Sequence, residues 1–212
     1  MKKHLTASMA VALCVSLLAL IACSKEGPAN EPPSNVKRVK AAFIDAEGKP
    51  TEVVQVPLVE KTEEEWKKLL TPEQYVIVRK AGTEAPFCGT LLDNKKEGVY
   101  FCVACSLPLF ASNSKFNSRT GWPSFFQPIA KENVAEKRDT SGGMIRVEIN
   151  CARCDGHLGH VFEDGPRPTG LRYCLNSESL TFTETTKLKP LAEKFEKEIE
   201  AAKKAAPKEE SK

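Results

Sequence analysis

Two pairs of cysteines, each pair separated by two residues, constrain this chain more than any other feature of its sequence. Cys102 is paired in this way with Cys105, and Cys151 with Cys154. The spacing lets both sulfurs of one turn point at the same ion, and two such turns supply the four thiolates that Zn²⁺ prefers. Because four protein ligands leave no open coordination position, the sequence predicts one structural zinc ion per chain.

Other uses of these cysteines stay open at the level of spacing. An exported chain meets an oxidising compartment, so the pairs could instead form disulfides. A single C-x-x-C pair could also be a thioredoxin-like redox motif, but that motif needs a helix, whereas Cys102 is followed by Pro108 and no helical pattern. His157 has a spacing from Cys154 that would suit a metal ligand, although four thiolates already complete a site.

The N-terminus has the pattern of an export signal. Two lysines precede an uncharged, mostly apolar run at residues 5–22, and polar residues follow Cys23. Residues 20–23 (LIAC) resemble the bacterial lipoprotein box, which implies cleavage before Cys23 and acylation of that residue. An uncleaved membrane helix is the alternative, since 18 residues can just span a bilayer. We expect a lipid-anchored protein of the bacterial cell envelope, facing the periplasm or the outside, on the outer membrane if the cell has two.

Composition, charge and helix-capping patterns divide the rest of the chain into segments. Removing the signal leaves 29 basic against 28 acidic residues, and so weak a net charge excludes a nucleic-acid partner held by phosphate neutralisation. Two capping-box patterns beginning at Thr62 and Thr71 predict consecutive helices. The predicted segments are a signal peptide at 1–22, an acylated tether at 23–40, an extension with a possible hairpin at 41–58, a catalytic domain at 59–185, and a charged C-terminal helix and tail at 186–212.

Cys88 and Cys174 are not used by the metal site or the signal, and could form either a structural disulfide or a working redox couple. Residues 171–176 read as a strand whose alternation places Arg172, Cys174 and Asn176 on one face. A neighbouring guanidinium favours the thiolate, which is the nucleophilic form of cysteine. The alternative is an ordinary surface strand.

Two further motifs suggest chemistry. His157 and His160, the only histidines beyond the signal, share one glycine-containing segment, and such a pair favours proton transfer over a purely structural role. Trp122 stands between a glycine and a proline, where it could form the apolar wall of a pocket for a methyl or thioether group. Packing in the core is the alternative for this indole.

Together these residues resemble the methionine sulfoxide reductases of the B type. The resemblance covers about residues 60–184, and its matching segments are TEAPF from residue 83, the two C-x-x-C pairs, GWPSF from 121, HLGHVFEDGP from 157 and RYCLNSESL from 172. It implies a peptide-methionine (R)-S-oxide reductase that acts on oxidised proteins. It also implies a structural zinc and a mainly β (α+β) fold, with two antiparallel sheets folded over each other, N-terminal helices and a C-terminal helix.

The resemblance also implies roles for individual residues. Cys174 would be the nucleophile that becomes a sulfenic acid, and the supporting site would consist of His160 as main proton donor, His157, Asn176 and Arg172, with Trp122 and Phe162 binding the substrate. Many relatives carry a resolving cysteine where this chain has Thr120, so we expect Cys88 to form the disulfide that a thioredoxin-like dithiol then reduces. Alternatively, Cys88 is a bystander and external thiols reduce the sulfenic acid directly.

Two other protein classes compete with the enzyme. One is a non-catalytic zinc-binding envelope lipoprotein that acts as a partner-docking module. This class explains the four paired cysteines but not Cys174 between Arg172 and Asn176. The other is a surface lipoprotein stapled by three disulfides, which would hold no metal.

Overall fold

The structure is a computed structural model that describes residues 36–205. The predicted signal, the acylated Cys23, most of the tether and the last residues of the C-terminal tail lie outside this range. Within it, no helix is both long enough and apolar enough to span a bilayer.

The described part of the chain begins with a hairpin. Strands β1 (Arg38–Ile44) and β2 (Pro50–Pro57) pair antiparallel on either side of the predicted turn. The Asp45 carboxylate accepts hydrogen bonds from the backbone N–H groups of Glu47 (3.0 Å) and Lys49 (2.8 Å), which is the local reason for the turn. The side chain of Asn133 holds the hairpin to the rest of the molecule, because it bonds both backbone groups of Ala42.

Two short helices follow, α1 (Glu63–Leu69) and α2 (Pro72–Lys80). Both begin with complete capping boxes, formed by Thr62 with Glu65 and by Thr71 with Gln74. These pairs satisfy backbone N–H groups that the first turn of a helix leaves without partners. Helix α2 ends at Lys80, and the left-handed backbone (φ 52°) of the C-cap residue Ala81 stops the helix there.

Nine strands build the remainder in antiparallel sheets. Their bounds are β3 (Gly98–Cys102), β4 (Pro108–Ala111), β5 (Lys115–Phe116), β6 (Ser124–Phe125), β7 (Val134–Asp139), β8 (Arg146–Cys151), β9 (His157–Phe162), β10 (Arg172–Leu175) and β11 (Leu180–Glu184). One sheet has six strands in the order β5-β6-β10-β9-β8-β7, and another has three in the order β11-β3-β4. Helix α3 (Lys189–Lys204) closes the described chain. The mainly β fold with N-terminal helices and a C-terminal helix is therefore confirmed.

An aromatic cluster joins the two larger sheets and fixes the orientation of β10. The Phe110 ring of β4 lies 4.8 Å from Phe125 of β6 and 5.5 Å from Tyr173 of β10, measured between centroids. Tyr173 and Leu175 are buried in this core. Because side chains alternate along a strand, Cys174 between them must face the other side of the sheet.

Candidate active site and metal centre

The two C-x-x-C pairs occupy equivalent turns at the ends of β3 and β8. In each turn the residue after the second cysteine has a left-handed backbone, Ser106 with φ 59° and Asp155 with φ 56°. The Ser106 N–H donates to the carbonyl of Cys102 (2.8 Å), and the Asp155 N–H to that of Cys151 (2.9 Å). These bonds close each turn, so both of its sulfurs point toward the other turn.

The four sulfurs form a compact cluster. All lie within 4.8 Å of one another, with Sγ–Sγ distances of 3.6 Å between Cys102 and Cys154 and 3.5 Å between Cys105 and Cys151. Zinc–sulfur bonds of about 2.3 Å in a tetrahedron imply sulfur–sulfur distances of about 3.8 Å. The cluster therefore fits one structural zinc ion and confirms the predicted site. Because β3 and β8 belong to different sheets, the metal would link those sheets.

The disulfide alternative is wrong for the described residues. A disulfide requires sulfurs about 2.05 Å apart, far less than the separations within the cluster. All six cysteines between residues 36 and 205 are free. The three-bridge lipoprotein therefore does not describe this molecule.

Cys174 opens into a small cavity of about 100 Å³. On β10 it pairs with His160 of β9 on one side and with Ser124 of β6 on the other. Strand register therefore sets a thiol directly opposite an imidazole. The cavity is lined by Thr83, Trp122, Arg146, Gly159, His160, Phe162, Cys174, Leu175 and Asn176.

Burial raises the pKa of the Cys174 thiol. Burial outweighs the influences that lower this pKa, which are a contact with the Thr120 hydroxyl at 3.9 Å, the positive charge of Arg172, and hydrogen bonding by Ser124 and Arg172. The Arg172 guanidinium also donates two hydrogen bonds to the Asp164 carboxylate, at 2.8 and 2.9 Å, so part of its charge is already compensated. The guanidinium acts in the direction that the sequence suggested, but the free site holds a thiol at neutral pH.

His160 belongs to a charged network at the edge of the cavity. Its Nε2 lies 2.8 Å from Oδ2 of Asp139, and the same oxygen accepts a hydrogen bond from Arg146 at 2.6 Å. Hydrogen bonds from Ser141, and then those from His160 and Arg146, hold the pKa of the Asp139 carboxyl well below its usual range. The carboxylate fixes the orientation of the imidazole ring and can hold a proton on Nε2.

His157 is buried beside His160, with ring centroids 5.5 Å apart. Its Nδ1 lies 2.7 Å from the Glu148 carboxylate, and its Nε2 is buried with no hydrogen-bond partner among the described residues. Burial lowers the pKa of His157 despite the opposing effect of Glu148. This geometry suits a neutral ring that supports its neighbour.

Asn176 and Trp122 are both held by the backbone of Glu84. The amide oxygen of Asn176 accepts the Glu84 N–H at 3.1 Å, and its amide nitrogen donates to the Leu158 carbonyl at 3.1 Å. The indole N–H of Trp122 donates to the Glu84 carbonyl at 3.1 Å. A fixed amide and a fixed indole therefore line the same cavity. Phe162 also lines it, 4.3 Å beneath the Arg172 guanidinium.

Cys88 is exposed on the loop between α2 and β3, and both of its neighbours are anchored near the cavity. The Phe87 N–H donates to the Gly121 carbonyl at 2.8 Å. A Cβ added at Gly89 would lie only 2.1 Å from Oγ of Ser177, so the backbone there approaches that segment closely. The loop is thus held against the segments on either side of the thiol pocket, while the Cys88 side chain stays open to solvent.

The model of the SelR domain matches residues 70–184, just over half of the chain. The chain belongs to the SelR domain family. Similar proteins include the peptide methionine sulfoxide reductases MsrB of Methanosarcina barkeri, 61% identical over 58% of this chain and 87% of the relative, and of Pseudomonas putida strain W619, 58% identical over 58% and 93%. The MsrB of Leptospira interrogans is 57% identical over 58% of this chain and 95% of the relative.

Within the SelR domain, the carboxylate of Glu84 is a contact that the sequence did not reveal. It accepts hydrogen bonds from the backbone N–H groups of Ser177 (2.7 Å) and Glu178 (3.1 Å), at the start of the short 3-10 turn Ser177–Ser179. Glu84 thereby joins the loop that carries Cys88 to the segment after Cys174. The only sequence signal that pointed to Glu84 was its position in the TEAPF segment, which is part of the family resemblance.

The network of Asp139 and Arg146 was also missed, and the sequence carried no usable signal for it. The two residues pair across the β7–β8 hairpin, seven positions apart along the chain, and reach His160 on β9. That arrangement depends on strand register, which the alternation of the individual strands does not define.

Outside the SelR match, Phe195 of α3 stacks on Phe43 of the hairpin, with centroids 4.9 Å apart.

Proposed function

We propose that the protein is a peptide-methionine (R)-S-oxide reductase, which reduces the R epimer of methionine sulfoxide in proteins. Membership of the SelR family supports the reaction class. The observation that carries the assignment to residues is the pairing of Cys174 with His160 across two strands, in a cavity that Trp122 and Phe162 also line.

In the first step the sulfur of Cys174 attacks the sulfoxide sulfur. His160 takes the thiol proton and delivers it to the sulfoxide oxygen, which could not otherwise leave its sulfur. The oxygen is then transferred to Cys174, so that methionine departs and the cysteine becomes a sulfenic acid. The raised pKa of the thiol makes this coupled proton transfer necessary, because little thiolate is present beforehand.

Substrate orientation follows from the cavity walls. Trp122 and Phe162 offer apolar surface to the methyl group, while Asn176 and His160 offer polar groups to the oxygen. With both substituents placed, only one epimer presents its sulfur to Cys174. His157 positions His160, and the positive charge of Arg172 lowers the pKa of the attacking thiol without a proton being transferred to or from the guanidinium.

Cys88 is the proposed resolving residue. Its thiol condenses with the sulfenic acid of Cys174, which forms a disulfide and releases water. A thioredoxin-like dithiol then reduces the disulfide by exchange and becomes oxidised itself. Support comes from the two anchored neighbours of Cys88 and from its exposure, which leaves the thiol free to move toward the pocket.

The test has two parts, turnover of racemic peptidyl methionine sulfoxide with dithiothreitol followed by chiral analysis, and mass mapping of thiols after a single turnover without added dithiol. We expect half of the substrate to remain, as the S epimer. Cys174→Ser should abolish turnover while keeping metal and fold. Cys88→Ser should keep single-turnover reduction but leave a sulfenic acid on Cys174. Full activity of Cys174→Ser would contradict the mechanism. A persistent sulfenic acid in the wild type, with Cys88 free, would remove Cys88 from it.

The four-cysteine site would hold the structural zinc that joins the two sheets. Zinc there contributes folding energy, with no part in the reaction. A purely docking role for the metal module is not favoured, because it leaves the Cys174 cavity without a purpose. Complete absence of sulfoxide reduction by metal-loaded protein would revive that alternative.

The protein is further proposed to be anchored by acylated Cys23 in the cell envelope. Support comes from residues 5–23 of the sequence, which lie outside the described structure. Two acyl chains hold a protein firmly on a membrane, whereas one binds only marginally. Partition of the native protein into detergent, lost in Cys23→Ser, is the expected result. Partition that survives this substitution would instead indicate an uncleaved helix.

A further inference from the structure

A second, larger cleft adjoins the catalytic cavity. It has a volume of about 560 Å³, against about 100 Å³ for the cavity that contains Cys174. Trp122 lines both, so the two cavities meet at this residue. A polypeptide whose oxidised methionine enters the small cavity therefore has an open path for its flanking residues across Trp122. We call the larger cavity the basic cleft, after its four basic lining residues Lys95, Lys96, Lys115 and Arg119.

The charges of the cleft are unbalanced. Its four cations face a single acidic lining residue, Asp93. Two of the cations have partners within the protein. Lys96 forms an ion pair with Glu184 at 2.7 Å, and Lys115 is half-buried with its ammonium group donating to two backbone carbonyls.

Lys95 and Arg119 are exposed, and neither has an ionic partner among residues 36–205. Their charges are therefore available to a ligand. An excess of positive charge around a concave surface attracts anionic groups and raises their local concentration.

Two residues of the cleft have left-handed backbone conformations, which glycine adopts more easily than other residues. Arg119 has φ 60° and Phe87 has φ 64°. The Arg119 turn is held by its own N–H, which donates to the Asn117 side chain at 3.0 Å. Phe87 is 69% exposed, although its backbone is bonded to Gly121. A cation and an aromatic ring are therefore both presented to solvent in the cleft that Trp122 lines.

We propose that the basic cleft binds an acidic stretch of the client polypeptide beside the oxidised methionine, so that the enzyme prefers methionine sulfoxides flanked by Asp or Glu. This inference rests on the proposed function. The flanking residues of an extended chain would continue past Trp122, so carboxylates near the methionine would reach Lys95 and Arg119 in the basic cleft. Phe87 would pack against apolar parts of the same segment.

The experiment compares three peptides that differ only around a central R-methionine sulfoxide, with Glu, Gln or Lys at flanking positions. Dithiothreitol serves as reductant, so that no protein reductant contributes. We expect kcat/KM to be highest for the Glu peptide, mainly through a lower KM, and the preference to shrink as salt rises from 0.05 to 0.5 M, conditions we choose to span strong and weak screening. Because exposed charge pairs contribute little energy, reversing the charge of one flanking residue should change kcat/KM by about two- to fivefold.

Substitutions at Arg119 and Lys95 test the cleft directly. Arg119→Glu and Lys95→Glu should each lower the Glu-to-Lys peptide ratio of kcat/KM by about two- to fivefold, and the double variant more. Lys194→Glu, on the exposed side of α3, is the matched control and should leave the ratio unchanged. Arg119→Gly separates binding from folding, because it should raise stability at φ 60° while still lowering the ratio.

Equal kcat/KM for the three peptides in the wild type would overturn the inference. So would a preference that survives both charge reversals. An effect of the variants that appears only with a thioredoxin-like reductant, and not with dithiothreitol, would also overturn it by assigning the cleft to the reductant. Failure of the proposed function looks different, since the wild type would then fail to reduce free R-methionine sulfoxide as well.

Discussion

Replacing Glu84 with Gln tests whether one carboxylate holds the active site together. The carboxylate accepts two backbone N–H groups, from Ser177 and Glu178, while its own backbone bonds Asn176 and Trp122. Gln is nearly the same size, so packing is preserved. It has only one acceptor oxygen and no charge, so one of the two N–H donors would face an NH₂ group instead.

The magnitude follows from those bonds. A hydrogen bond to a charged acceptor is worth about 1.5–3 kcal/mol, and a half-buried donor left without a partner costs about 1–3 kcal/mol. We therefore expect Glu84→Gln to lower the free energy of unfolding by about 2–3 kcal/mol. Because Asn176 and Trp122 are positioned through the same residue, a shift of about 1 Å should also reduce kcat/KM by roughly tenfold to a hundredfold.

Urea unfolding of metal-loaded protein, followed by circular dichroism, measures the first effect, and turnover of free R-methionine sulfoxide the second. Glu193→Gln, at an exposed position of α3, is the control, and should change stability by less than about 0.5 kcal/mol. Wild-type stability and turnover in Glu84→Gln would refute the reasoning. Lost stability with full turnover would show that the carboxylate stabilises the fold without positioning the site.

Three further outcomes are expected. The rate of alkylation of Cys174 by iodoacetamide, measured by mass spectrometry, should be low at neutral pH and rise only above the ordinary pKa of a thiol. Arg172→Met should move that rise to still higher pH, because it removes a charge that lowers the thiol pKa. Fast alkylation at pH 7 would contradict the effect of burial. Cys102→Ser should release metal in elemental analysis and cost more than about 4 kcal/mol of unfolding free energy; retention of both would dismiss the structural metal. Thr120→Cys in a Cys88→Ser background should restore an intramolecular disulfide, because the Thr120 hydroxyl already lies 3.9 Å from the sulfur of Cys174; thiol mapping that finds none would contradict this geometry.

Much of this architecture is visible in local sequence patterns. The capping boxes at Thr62 and Thr71 predict the first helices, since the bonds that define them join residues three apart. The doubled cysteine pairs predict the metal cluster for a similar reason, because each turn is complete within a few residues. Alternation along residues 171–176 predicts that Cys174 faces away from the core.

The relations between distant segments were decided by tertiary structure. Sheet register brings Asp139 to His160, and loop packing brings Glu84 to Ser177, across 93 positions of the chain. Tertiary structure also decides the protonation of Cys174, whose flanking arginine alone suggested a thiolate. The cost of burying a charge depends on every group that excludes water from it, and those groups come from separate strands. Local sequence determines which conformations and ligand types are available, whereas only the folded packing determines the distances and the solvent exposure that control reactivity.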